Sequence, residues 1–293
     1  MNILITGCNG QLGNEMQLLE KNYPQHRFFN TDVKELDITN QLAINDFVNR
    51  NQIDGIVNCA AYTAVDKAET DKKLCTALNT EAPAYLAAAV EKRGGWMIQI
   101  STDYVFNGTK HTPYVEEDTP CPDSVYGSTK LAGELGVTKF CKNSMIIRTA
   151  WLYSTFGNNF VKTMIRLGKE KDSLGVIFDQ IGTPTYAHDL AQVIMTAIEQ
   201  GIKPGVYHFS QVSGNIDSLE RNFDFYCSVK LDGFMRRYGE AYSEETREKV
   251  RKAEYAMDKL AFVHDEAAQK GFDAIRKILF DSDGNRRTYE LVG

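Results

Sequence analysis

A tyrosine and a lysine four residues apart, in Tyr126-Gly127-Ser128-Thr129-Lys130, have the types and spacing that suit proton transfer. On a helix that spacing puts both side chains on one face. A free phenol has a pKa of about 10 and is a poor acid–base group near neutrality; a fixed cation beside it favours the phenolate and lowers that value. The same spacing arises by chance in surface helices, where it is only a solvated pair. Here it has company. Ser101-Thr102-Asp103-Tyr104-Val105-Phe106 follows an apolar run that reads as a strand, and Thr102 is placed to hydrogen-bond a substrate carbonyl and polarise it. Thr102, Tyr126 and Lys130 are therefore the candidate catalytic set for hydride transfer. Tyr126 supplies a proton, Lys130 an electrostatic bias and a reach to the nicotinamide ribose, and Thr102 the orientation, with a nicotinamide as the hydride source.

A nicotinamide dinucleotide needs a phosphate cradle, and one stands at the N-terminus. Gly7-Cys8-Asn9-Gly10-Gln11-Leu12-Gly13 follows the first apolar run and opens an amphipathic stretch. Glycines let the backbone turn sharply and approach a pyrophosphate, and a helix N-terminus offers N–H groups and the positive end of its dipole. The spacing is G-x-x-G-x-x-G, and Gly7, Asn9, Gly10, Gln11, Leu12 and Gly13 are the candidate cradle. Asp32, at the end of the next strand, is placed to hold a ribose hydroxyl; an acid there repels a 2′-phosphate and favours NADH, Lys34 offsets it, and the choice between NADH and NADPH stays open. Asp32 also reads as a turn cap. Asp37 and Ile38 lie in a short loop that would border the adenine. Ala60, Ala61 and Thr63 follow the third strand and are small enough to let a cofactor lie against the backbone.

These groups need a scaffold that delivers them to one edge. Apolar runs at Ile3–Ile5, Arg27–Thr31, Gly55–Asn58, Trp96–Ser101 and Ser144–Thr149 alternate with helical patterns at Gln11–Lys21, Gln41–Asn49 and Lys72–Arg93. Alternation of this kind implies α/β architecture: a Rossmann-type doubly wound parallel sheet, with ligands at the carboxyl ends of the strands. We expect a dinucleotide-binding domain over residues 1–151 and a smaller, mainly helical substrate domain over 152–293, interleaved with the first. From about Ser243 to Phe280 the chain is charged and helical in period, with stripes through Val250, Ala253, Met257 and Leu260 and through Ala268, Phe272, Ile275 and Leu279. The chain has 293 residues and a net charge of −6, which argues against a nucleic-acid or anionic-membrane partner. Its six cysteines show no metal-ligand spacing. The first residues lack a signal-peptide pattern and no run is long enough to span a bilayer, so the expected location is the cytoplasm.

The runs Thr6–Gly13, Asn58–Glu69, Ser101–Phe106 and Val125–Glu134 together resemble the dTDP-4-dehydrorhamnose reductases, a family of extended short-chain dehydrogenases. Arg148–Tyr153, Gly157–Phe160 and Asp179–Thr185 resemble them too. The resemblance covers about residues 1–210. It implies reduction of the C4 ketone of a dTDP-6-deoxy-hexulose to dTDP-L-rhamnose for bacterial surface polysaccharide such as lipopolysaccharide O-antigen, with NADPH or NADH as cofactor. It implies a nucleotide-sugar site that includes Thr102, Asp103, Tyr104, Val105, Trp151, Asn159 and Phe160. A homodimer is implied as well. Some members hold a magnesium ion through acids at a dimer interface; Glu15 matches one such position, but His188 stands at the other, so no metal is expected. After His208-Phe209-Ser210 the chain departs from the family, with no Trp-containing helix and no later Arg-Pro or Ser-x-Leu stretch. Two rival readings follow from the same residues. One is a nucleotide-sugar epimerase or dehydratase, which keeps its NAD bound and needs a further acid or base. The other is a non-catalytic NADP-binding regulatory subunit, like that of methionine adenosyltransferase, which would not need an intact Thr-Tyr-Lys set.

Overall fold

The computed structural model of the chain describes residues 1–110, 113–170 and 184–210. The helical tail expected after Ser210, and residues 179–183 of the matched stretch Asp179–Thr185, lie outside the described residues. Two compact units divide the chain: Met1–Gly157 with Gly182–Ser210, and Asn158–Ile181 with Gln211–Gly293.

The first unit is a parallel six-stranded sheet. Its strands are β1 (Asn2–Thr6), β2 (Arg27–Thr31), β3 (Gly55–Asn58), β4 (Trp96–Thr102), β5 (Ser144–Thr149) and, after two two-residue strands, β6 (Leu152–Tyr153) and β7 (Thr185–Tyr186), which pair with each other, β8 (Gly205–His208). The order is β2-β1-β3-β4-β5-β8. It reverses direction between β1 and β3, which makes the crevice beyond their carboxyl ends the place where such sheets take ligands.

Residue alternation explains why both faces are covered. Along β1, Ile3 and Ile5 point to one face and Leu4 to the other, and all three are fully buried. Helices α1 (Gln11–Leu19) and α8 (Ala187–Gln200) cover the first face with Leu12, Met16, Leu190 and Ile194. On the second lie α2 (Gln41–Arg50), α5 (Ala82–Glu91) and α6 (Val125–Phe140), through Ile44, Val48, Leu86, Val90 and Val137. Each such apolar side chain contributes about 1.5–3 kcal/mol by leaving water. This is the Rossmann-type sheet that the sequence predicts, with β8 added at one edge.

The expected single helix over Lys72–Arg93 is broken into parts. After a short α3 (Val65–Ala68), α4 (Lys72–Thr76) passes into a π-helical turn at Ala77–Glu81 and then into α5, with Pro83 in its first turn. Proline has no N–H to give the preceding turn, and widening the turn by one residue accommodates it. In the second unit, α7 (Phe160–Glu170) starts at Asn159, whose side chain accepts from the Lys162 N–H at 2.9 Å. Among the described residues no helix is long and apolar enough to cross a membrane.

Candidate active site

The glycine loop joins β1 to α1 at the carboxyl edge. Gly7 has φ +65°, and a Cβ there would lie 2.8 Å from the backbone N and Cα of Ala60, so only glycine fits between the two loops. A Cβ on Gly13 would lie 2.4 Å from the Gly7 carbonyl oxygen. Gly10 is the N-cap residue of α1 and brings no side chain to cap it. Cβ-free backbone at a helix N-terminus is what a pyrophosphate requires, and these residues fit a dinucleotide. Leu12 is buried in the core, so only its backbone belongs to the cradle. Asp32 accepts from the Asn9 N–H at 3.1 Å and from the Val33 N–H at 2.8 Å, so it braces the loop and caps its own turn.

The neighbouring loops divide in their availability. Asp37 is exposed and closes a turn by accepting from Thr39 N–H and hydroxyl, at 2.9 and 2.7 Å, while the Ile38 side chain is buried in the core beneath. Ala60 and Ala61 are half-buried and Thr63 is exposed. Asn79, buried in the π turn, clamps the loop after β3: its side chain accepts from the Tyr62 N–H at 2.9 Å and donates to the Tyr62 carbonyl at 3.1 Å.

Thr102, Tyr126 and Lys130 meet at the end of β4. Thr102 is its last residue; its hydroxyl donates to the Asp103 carboxylate at 3.0 Å and accepts from the Tyr104 N–H at 3.2 Å. Tyr126 sits in the first turn of α6 and is buried close to Thr102. The Lys130 ammonium donates to the Ile100 carbonyl of β4 at 2.6 Å. Ser124 caps α6 by accepting from the Gly127 N–H at 3.0 Å. Gly127 is what lets the helix start so close, because a Cβ there would lie 2.1 Å from the Tyr104 carbonyl oxygen. The Tyr104 and Tyr126 rings meet edge to face with centroids 5.5 Å apart.

Burial governs the electrostatics. It pushes the Tyr126 phenol up to about 12, against the lowering influence of the neighbouring Thr102 hydroxyl, and Asp103, Tyr104 and Cys75 push the same way. It pulls the Lys130 ammonium down to about 8, against the opposing pull of Glu134 and Cys75. Burial also raises the Asp103 carboxyl. The sequence reading has the cation drawing the phenol down; in the structure Lys130 bonds a backbone carbonyl and desolvation dominates at Tyr126. A buried, protonated phenol beside a threonine hydroxyl is an acid poised to give up its proton to a developing alkoxide.

The remaining candidates are distributed unevenly. Tyr104 is half-buried beside Tyr126, whereas the Val105 side chain is fully enclosed and its carbonyl accepts from the Cys121 N–H at 2.9 Å. Trp151 is 40% exposed and has φ +47°, a strained backbone for a bulky residue and a feature that clusters at functional sites. Asn159 and the exposed Phe160 belong to the second unit.

A family model described as the RmlD substrate binding domain matches residues 1–221. The dTDP-4-dehydrorhamnose reductase of Salmonella typhimurium is 44% identical over 216 residues, covering 71% of this chain and 72% of its own. The chain belongs to the dTDP-4-dehydrorhamnose reductase family. Solved reductases of this family share its fold. One from Clostridium acetobutylicum is 45% identical with a TM-score of 0.71, over 80% of this chain and 81% of that one. Another, from Bacillus anthracis in complex with NADP, is 40% identical with a TM-score of 0.70, over 78% and 81%.

Several polar residues of this reductase's sheet edge escape sequence reasoning. Asn58 accepts from the Thr6 hydroxyl at 2.5 Å and donates to Gln99 at 2.7 Å, a buried ladder across β1, β3 and β4. Ser101 and Arg148 both bond Glu134. The available signal is a polar residue inside an otherwise apolar strand: Gln99 in Trp96–Thr102, Arg148 in Ser144–Thr149. Glu15, which the sequence reading compared with a metal position of some family members, is buried, and its carboxylate takes hydrogen bonds from Ser154 at 2.6 Å and from His188 at 3.1 Å.

Proposed function

We propose that the chain is an NAD(P)H-dependent reductase of dTDP-4-dehydro-L-rhamnose, forming dTDP-L-rhamnose, and that Thr102, Tyr126 and Lys130 carry out the chain's part of the chemistry. The observation that supports this most is the convergence of those three buried groups at the end of β4, beside a glycine cradle built for a dinucleotide. When bound, the reduced nicotinamide supplies the hydride. Gly7, Gly10 and Gly13 hold its phosphates through the backbone, and Asp32 stands at the ribose. Thr102 and Tyr126 hydrogen-bond the C4 carbonyl oxygen of the sugar. The Tyr126 phenol then protonates that oxygen as it gains charge, and the Lys130 ammonium stabilises the phenolate left behind. Asp103, Tyr104 and Trp151 flank the sugar. By the resemblance, Asn159 and Phe160 are nucleotide-sugar contacts as well.

The protein works as a homodimer in the cytoplasm on this reading, where unpaired thiols such as the exposed Cys121 persist; sedimentation as a monomer at micromolar concentration would sink the dimer. The deciding assay follows loss of reduced-nicotinamide absorbance with dTDP-4-dehydro-L-rhamnose and NADPH or NADH. Turnover is expected, with Tyr126→Phe slower by about 100- to 10,000-fold and cofactor binding retained. Absence of turnover in the wild type, with NADPH still bound, would overturn the reductase and leave a binding module.

A further inference from the structure

Three charged side chains are almost fully enclosed at the end of β4, and the proposed chemistry uses only one. Lys130 is 4% exposed, Glu134 4% and Arg148 6%. Glu134 lies one helical turn after Lys130 on α6. Its carboxylate accepts from Arg148 Nε at 3.0 Å and Nη2 at 2.7 Å, and from the Ser101 hydroxyl. Arg148 reaches across from β5, with its guanidinium 5.2 Å from the Phe106 ring centroid and 3.4 Å from His208 on β8.

We propose that the Glu134–Arg148 pair is a positioning device for Lys130: Arg148 takes up much of the Glu134 charge one turn away, so that the pull of Glu134 on Lys130 is weakened and the ammonium stays bonded to the Ile100 carbonyl. The argument is geometric and electrostatic. A bare Glu134 would be the nearest anion to Lys130 on its own helix and would draw the ammonium down the helix, away from Tyr126. A bare Arg148 would repel it. The remaining groups that bear on Lys130 and Tyr126 are Cys75 from α4 and Asp103 and Tyr104 after β4, and none of them approaches Arg148 in the hydrogen-bond network. A buried ion pair adds little net stability over a well-packed apolar pair, so its use here is specific to the lysine beside it.

The proposal rests on Lys130 acting in the reaction, but its test does not. Lysine labelled with carbon-13 at Cε reports protonation by NMR, with the Lys130 signal assigned through Lys130→Arg. In Glu134→Gln the Lys130 midpoint is expected to fall by about one pH unit, because Arg148 is then unopposed. In Arg148→Met it is expected to rise by about as much, and in the double variant to return close to the wild type. Opposite shifts that cancel establish the device; a purely structural pair would lower the melting temperature and leave all three midpoints where they were, which overturns it. Should Arg148→Met fail to fold, Glu134→Gln and the double variant decide alone. A wild type without turnover would refute the reductase while the titration still answered for the pair.

Discussion

Tyr126 and Lys130 are driven in opposite directions by one cause. Burial disfavours charge, so the phenol rises to about 12 and the ammonium falls to about 8. Below about 8 both carry their protons, which is the state a reductase needs. As pH rises, the lysine loses its charge long before the tyrosine loses its proton. The rate is therefore expected to be level on the acid side of about 8 and to fall about tenfold per pH unit above it, with Lys130 as the cause. A pH–rate profile checks this, and Lys130→Arg, which stays charged, should remove the alkaline limb whatever its effect on the maximum. Gly127 is the second test at this scale. Its missing Cβ faces backbone, and the Tyr104 carbonyl cannot give way without moving the turn after Thr102. Gly127→Ala is expected to cost about 1–3 kcal/mol in a denaturant melt. By displacing Tyr126 it should also lower kcat about 100-fold. Unchanged kcat in a folded variant would show that the helix start does not set the geometry. The Tyr-x-x-x-Lys and glycine spacings were legible because each has a chemical reason that survives without coordinates. The Glu134–Arg148 pair was not, because fourteen residues of sequence separation hide a contact across two elements.

Strands β1, β3, β4 and β5 could be read from sequence because a parallel strand covered on both faces is a continuous apolar run. β8 could not: Gly205–His208 alternates between exposed and half-buried positions, so it leaves no such run. The π turn was hidden for a different reason. A 3.6-residue period runs through it almost unbroken, and only Pro83 marks the place. The turn has a use, since it carries Asn79 to the loop after β3. Asn79→Ala should leave the Tyr62 backbone unpaired and cost about 1–3 kcal/mol. We expect weaker NADPH binding, read by fluorescence titration, with little change in kcat at saturating cofactor. Unaltered NADPH affinity would show that the clamp does not shape the cradle.

At the scale of the molecule, the cradle and the three buried groups all lie in the first unit, and the second begins at Asn158. Cofactor binding is therefore expected to stabilise the first unit by mass action. At one hundred times its dissociation constant NADPH should add about 2.7 kcal/mol, measurable as a rise in the calorimetric transition of wild type and equally of Tyr126→Phe, which keeps the cradle. Sequence reasoning placed the first domain's end near residue 151 and the second domain as interleaved with it, without naming the strand that returns to the sheet. Its last strand comes from Gly205–His208, far beyond the boundary that an uninterrupted β-α alternation suggests.

That late strand has a consequence for synthesis. β8 pairs with β5 from Met145 to Arg148, and the His208 N–H is held by Glu116 at 2.8 Å. While the chain emerges from the ribosome, β5 is complete well before β8 exists. At roughly 5–20 residues per second the nascent protein carries an open, hydrophobic sheet edge for several seconds. Any chaperone that attends this chain would find its client in that interval, and a message cut short between the two strands would leave a product with its stickiest surface bare.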